Sequence, residues 1–186
     1  VHRDASLPEF QKETFVKKQK NAPPTINTRA PAYGRKAVIY ATCFVNYNNP
    51  SIGFAAQAVL NLNGVTTEVV YPSCCGMPQL EQGNIQEVAR SAEKVAKEFR
   101  SWVDDGNDII ALTPSCALML KFEWPLILPE NEDVRALSGA TFDIDEYVVA
   151  IAKKEGLADG LKSLDGGVTL HHACHSRAQN FGQKSA

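Results

Sequence analysis

The chain has 186 residues, 44% of them hydrophobic and 22% charged, a balance that suits one globular domain, or one domain with an arm, around a buried core. A net charge of -2, a pI near 6.1 and the lack of a basic stripe argue against nucleic-acid binding, and the cluster Lys17-Lys18-Gln19-Lys20 reads as a solvated face. No apolar run approaches the ~20 residues needed to cross a bilayer, and no secretory signal is visible.

Residues 1–35 read as an N-terminal arm. Pro8, Pro23, Pro24 and Pro31 break regular structure, and Phe10, Phe15 and Val16 offer the apolar face of one short helix. From Lys36 the texture changes to that of a folded domain, residues 36–186. Ala37–Ala41 is a nearly continuous apolar run, as in a buried parallel strand. After Pro50, and with Ser51 as cap, Ile52–Leu62 has helical spacing, stopped by Asn63-Gly64. Thr67–Tyr71 is a second strand. Asn84 followed by Glu87 has the form of a capping box, and from Ile85 to Val103 apolar residues recur every three or four positions until Asp105-Gly106. Asp108–Leu112 is a third strand, followed by a short helix from Pro114 through Phe122. Residues 125–140 hold two prolines and little periodicity, which predicts an ordered surface excursion. Asp143–Lys154 is amphipathic, Val168-Thr169-Leu170 reads as a fourth strand, and a helix is expected after Cys174. Alternating strands and helices of this length predict an α/β fold, a doubly wound and mostly parallel sheet. No G-x-G-x-x-G or phosphate-loop motif follows any strand, which argues against a nucleotide site.

The five cysteines fall on this skeleton in one way. Cys43 follows the first strand, Cys74 and Cys75 the second, Cys116 the third and Cys174 the fourth. All five are therefore expected in loops on the C-terminal rim, where such sheets bind ligands. An odd number of thiols without an export signal argues for metal or redox chemistry over a disulfide framework. Gly76 allows a tight turn after the pair, and nearby helix starts favour thiolates. Short C-x₂₋₄-C zinc knuckles are absent, so separate loops around an iron–sulfur centre are the favoured reading. A zinc-stabilised scaffold, a thiol switch at Cys74 and Cys75, and small buried hydrophobes are the alternatives. His171, His172 and His175 flank Cys174 and are read as groups surrounding the site or on the surface near the rim, with metal ligation as the alternative. Arg177 is read as a neutraliser of cluster charge or a surface group. Asn46 and Tyr47 are read as hydrogen-bond partners of Cys43 or ordinary loop residues, and Met119 and Trp124 as core and lid.

The segments CFVNYNNP, SCCGMP, TPSCALMLKFEWP and HHACHSRAQNFGQK resemble the cysteine-rich CCG domain found in the B subunit of heterodisulfide reductase, in the branch represented by the C subunit of anaerobic glycerol-3-phosphate dehydrogenase. The resemblance spans roughly residues 36–186. It implies an iron–sulfur cluster, most simply [4Fe–4S], held by Cys43, Cys74, Cys75 and Cys116, with Gly76, Thr113, His175 and Arg177 around it. It further implies electron transfer between a flavoprotein dehydrogenase or other redox subunit and a quinone or thiol acceptor. A cytoplasmic site, peripheral on the inner membrane face, follows from the same resemblance. Thiol/disulfide reduction of the heterodisulfide reductase type is the alternative activity. Two departures matter. Thr113 stands where the family's C-x-x-C begins, which leaves four thiols and puts a non-cubane cluster in doubt. Cys174 opens a second motif whose partner cysteines are absent, so the sequence is expected to be a fragment or to have lost its second half; its start at Val1 without methionine fits that expectation.

Overall fold

A computed structural model of the chain describes residues 4, 6–21, 24–160, 162 and 164–179. Pro23 and the end of the HHACHSRAQNFGQK segment, from Asn180, lie outside the described residues. In chain order the elements are α1 (Phe15–Lys20), β1 (Lys36–Tyr40), α2 (Cys43–Tyr47), α3 (Pro50–Leu62), β2 (Thr66–Val70), α4 (Met77–Glu81), α5 (Ile85–Asp104) and β3 (Asp108–Ala111). There follow α6 (Pro114–Leu118), a π-helical turn (Met119–Glu123), α7 (Trp124–Ile127), α8 (Glu132–Ala140), β4 (Thr141–Asp143), α9 (Ile144–Lys154) and α10 (Cys174–Ala178).

The strands form one parallel sheet in the order β2-β1-β3-β4. Helices cover both faces, which is why β1 is apolar at successive positions rather than at alternate ones. Val38 and Tyr40 point into a core with Val88, Ala92, Val95, Ala96 and Phe99 of α5. Ala37, Ile39 and Ala41 point the other way, into a core with Phe15, Leu60, Tyr147 and Ile151 from α1, α3 and α9. The apolar stripe of α5 is anchored at its start by Asn84, whose side chain accepts from the Glu87 N–H at 3.3 Å. The chain runs from β1 out to β2 and then crosses back to β3. The topological switch point therefore lies between the C-terminal ends of β1 and β3.

The arm residues pack on this frame. Phe15 is fully buried, edge-on to Phe54 at 5.0 Å, and it lies directly over Gly53 of α3. Gln11 N–H donates to the Tyr47 carbonyl at 2.7 Å, and Val16 N–H donates to Asn46 Oδ1 at 3.1 Å.

Three sequence expectations are corrected. The fourth strand is Thr141–Asp143, not Val168–Leu170. Val168 and Leu170 are exposed, and an isolated apolar triplet carries no periodicity to distinguish a strand from a loop. Residues 125–140 are not a surface excursion: α7 and α8 occupy them, and Val134 and Leu137 are buried against α5. The helix α3 starts at Pro50, with Asn49 rather than Ser51 in the capping position. Pro125 also explains the π-helical turn. It has no N–H for the Lys121 carbonyl, the hydrogen-bond ladder widens, and Ser138 Oγ–H donates to that carbonyl at 2.8 Å instead.

Candidate metal centre

Three loops leave the C-terminal edge of the sheet, and each delivers a thiol. After β1, Thr42 caps α2, so Cys43 is the first residue of that helix and is half-buried. Thr42 is the one non-glycine residue with positive φ among those described, at φ 53° and ψ 159°, a conformation costing of order 1–3 kcal/mol for a β-branched residue. After β2, the turn carries Cys74, half-buried, and Cys75, 2% exposed, and Gly76 completes it in the left-handed region at φ 81°. A Cβ at Gly76 would meet only ordinary contacts, so the dihedral rather than space requires glycine. After β3, Thr113 caps α6, and Cys116 is buried in its first turn, donating its N–H to the Thr113 carbonyl at 2.9 Å.

The four thiols lie close enough to act on one another electrostatically. Cys43 hydrogen-bonds Cys74, Cys74 hydrogen-bonds Cys75, and the Cys75 and Cys116 sulfurs lie 3.2 Å apart. That distance is far beyond the roughly 2.05 Å of a disulfide, and all are free thiols. Cys74 sits at the centre of the chain. Hydrogen bonds from Cys43 and then Cys75, with the Gly76 and Cys75 N–H groups, hold it well below the usual thiol range. Its neighbours move the opposite way. Cys43 is pushed up by the bond it makes to Cys74 and by burial, and Cys75 by its bonds to Cys116 and Cys74 and by burial. Backbone N–H groups of Phe44 and Met77 also point at Cys43 and Cys75 sulfur.

The surrounding residues fix the loops. Tyr40 O–H donates to the Ser73 carbonyl at 2.6 Å and its ring stacks parallel to Tyr71. Trp124 is fully buried and donates its indole N–H to the Cys75 carbonyl at 3.1 Å. The Thr42 and Thr113 hydroxyls hydrogen-bond each other at 3.1 Å. The structure brings together the four thiols, Gly76 and Thr113 that the sequence points to, whereas Tyr40 and Thr42 are additions to that set and Trp124 is expected there only as core and lid. Tyr40 had one available signal, its place at the strand end on the same side as the α5 core.

Asn46 Oδ1 accepts from the Val16 N–H of the arm. One expectation changes here. Cys174 does not follow a strand: it opens α10 and is exposed. His175 is half-buried and Arg177 exposed on the same helix. Gln179 joins that helix to α6 through a 2.8 Å hydrogen bond from its Nε2 to the Pro114 carbonyl.

Among the described residues no three His, Cys, Asp or Glu side chains are grouped to hold a single metal ion. Sulfurs from three loops converge here and backbone N–H groups are aimed at those of Cys43, Cys74 and Cys75, an all-thiol donor set of the kind that soft metals and iron–sulfur clusters take.

Residues 37–121 match the family model for the Cysteine-rich domain, CCG. Lactate utilization protein A of Bacillus pumilus is 29% identical over 147 residues, covering 75% of this chain and 58% of that protein. The C subunit of anaerobic glycerol-3-phosphate dehydrogenase of Escherichia coli is 27% identical over 174 residues, covering 91% of this chain and 42% of the relative. An uncharacterized iron–sulfur protein of Methanococcus maripaludis is 30% identical over 145 residues, covering 76% and 26%. The chain thus spans about half the length of the first two. No solved structure matches significantly.

Proposed function

We propose that this chain, whose residues 37–121 match the family model for the CCG cysteine-rich domain, holds an iron–sulfur cluster of [4Fe–4S] type through Cys43, Cys74, Cys75 and Cys116 and serves as an electron-transfer subunit of a larger redox complex. The observation that carries the reading is the convergence of these four thiols from three loops at the switch point of the sheet, where the Cys75 and Cys116 sulfurs lie 3.2 Å apart and Cys74 is coupled to Cys43 and Cys75. The relatives named for iron–sulfur content and for dehydrogenase subunits support it. When bound, the cluster supplies one-electron redox chemistry.

The chain's own residues divide the work. Cys75 and Cys116 are buried, while Cys43 and Cys74 are half-buried, so the Cys43–Cys74 edge is the side open to a partner. The N–H groups aimed at sulfur and the exclusion of water by Tyr40, Tyr71 and Trp124 favour a particular charge on the site and thereby tune its potential. A flavoprotein dehydrogenase is the donor this reading assigns, with a quinone-linked or thiol acceptor, on the inner face of the membrane. No helix among the described residues is long and apolar enough to cross a membrane. Cys174, with His175 and Arg177 beside it, belongs on this reading to a second motif rather than to the quartet.

The test is anaerobic reconstitution with iron and sulfide analysis and electron paramagnetic resonance (EPR) of the dithionite-reduced protein. About four irons per chain and a reduced-state EPR signal are expected. Fewer than about two irons per chain, or zinc retained in preference to iron, overturns the reading.

A further inference from the structure

We propose that Thr42 and Thr113 are positioning residues: their hydroxyl pair ties the loop after β1 to the loop after β3 and sets the separation between the thiols those loops carry. The proposal rests on the iron–sulfur reading for what the thiols hold, whereas the tie itself is a property of this chain.

Parallel strands β1 and β3 are in register up to Tyr40 and Ala111. Beyond that pair the two chains separate around the switch point, and the hydroxyl pair at 3.1 Å joins them again. Each member is coupled to a cysteine. Thr42 is bonded directly to Cys43. Thr113 accepts the N–H groups of Cys116 and Ala117 on its carbonyl, so displacing it displaces the first turn of α6.

Thr113 forgoes its ordinary role, and Thr42 adds the bond to Thr113 to its own capping bond. A threonine in the capping position normally accepts a backbone N–H with its own hydroxyl, yet the Thr113 side chain makes no cap bond and reaches across to Thr42. Thr42 is completely buried and held at φ 53°, where glycine would sit without strain. Its hydroxyl accepts from the Val45 N–H at 3.4 Å and pairs with Thr113. A strained β-branched residue retained where glycine would fit is explained if the hydroxyl is what the position requires. The position that the resemblance marks as a lost cysteine thus carries a hydroxyl with a structural task of its own.

The experiment compares the whole chain with Thr113→Val, Thr113→Ser and Thr42→Gly. Iron-loaded samples are challenged with a chelator and their reduced EPR spectra recorded. Metal-free samples are titrated with Cd²⁺, followed by thiolate–cadmium absorption, and unfolded in urea. Thr113→Val and Thr42→Gly are expected to release iron about tenfold faster and bind Cd²⁺ about tenfold more weakly, with an altered EPR line shape, the size typical of losing an outer-shell partner. Thr113→Ser stays within about twofold of wild type, since it keeps the hydroxyl. Thr42→Gly unfolds no more easily than wild type, because the backbone strain it relieves offsets the lost bond. Wild-type iron release and Cd²⁺ affinity in Thr113→Val and Thr42→Gly overturn the proposal, as does a Thr113→Ser chain that behaves like Thr113→Val. A wild-type chain that takes up no iron removes the iron–sulfur reading instead. The Cd²⁺ titration then decides the tie by itself: about tenfold weakening in Thr113→Val upholds it, and equal affinity overturns it.

Discussion

Replacing Trp124 with phenylalanine tests how the fold reaches the thiols. The peptide between Cys75 and Gly76 is trans, so its carbonyl and N–H point in opposite directions. The indole N–H of Trp124 holds the carbonyl at 3.1 Å, and the same peptide's N–H, that of Gly76, donates to Cys74 sulfur. One buried indole thus orients a donor on the far side of the peptide plane. Trp124→Phe leaves the buried Cys75 carbonyl unpaired, which costs about 1–3 kcal/mol, and the smaller ring loses packing worth about 1–2 kcal/mol. The sum is about 3 kcal/mol, which at a urea m-value of about 2 kcal/mol/M moves the unfolding midpoint by about 1.5 M. The assay is urea unfolding of the metal-free chain, with the EPR spectrum of the reconstituted variant as second readout. A midpoint shift below about 0.5 M with an unchanged spectrum refutes the reasoning, because the carbonyl would then be satisfied without the indole.

Much of this arrangement was legible in the sequence because strand ends could be located. Ala37–Ala41 is apolar at every position, which marks a strand buried on both faces, and α5 repeats its apolar residues over five turns. Once β1, β2 and β3 were placed, Cys43, Cys74, Cys75 and Cys116 had to meet at one rim. The strand β4 was hidden because it is three residues long and joins α8 to α9 with no loop on either side. Val134 and Leu137 were missed for a related reason, since a nine-residue helix offers only two turns of periodicity beside the Pro125 break. Thr42 has no sequence signal at all: its positive φ and its bond to Thr113 arise where β1 turns into α2 and exist only in the folded chain. The indole bond to Cys75 spans 49 residues and is created by packing alone.

Further outcomes follow from the same contacts. Serine at Cys43, Cys74, Cys75 or Cys116, one at a time, is expected to leave less than about half the reconstituted iron, because each removes one corner of the donor set, while Cys174→Ser retains the wild-type content. Gly53→Ala places a methyl group 2.5 Å from Phe15 Cε1, so Phe15 must leave its pocket. A loss of about 1–3 kcal/mol and faster tryptic cleavage at Lys17, Lys18 and Lys20 are expected, whereas the gain of about 1 kcal/mol normal for alanine in a helix refutes the docking of the arm. Asp143 concerns pH. Its Oδ1 accepts from the Asp145 N–H at 3.1 Å, but its Oδ2 is buried with no hydrogen-bond partner, and burial pushes the carboxyl up to about 6 from 3.8. Asp145 and Glu146 push the same way and Lys121 opposes them. The folded state therefore binds this proton more tightly than the unfolded chain. The stability it contributes is complete below about pH 4 and is lost as the pH rises through about 6, a change of about 3 kcal/mol. Asp143→Asn keeps an acceptor for the helix start but has no charge to bury. The stability of the variant minus that of wild type should accordingly rise by about 3 kcal/mol between pH 4 and pH 7 in urea unfolding. Parallel pH profiles for the two proteins would mean that water already reaches the Asp143 carboxylate and that its isolation beside α9 is not real.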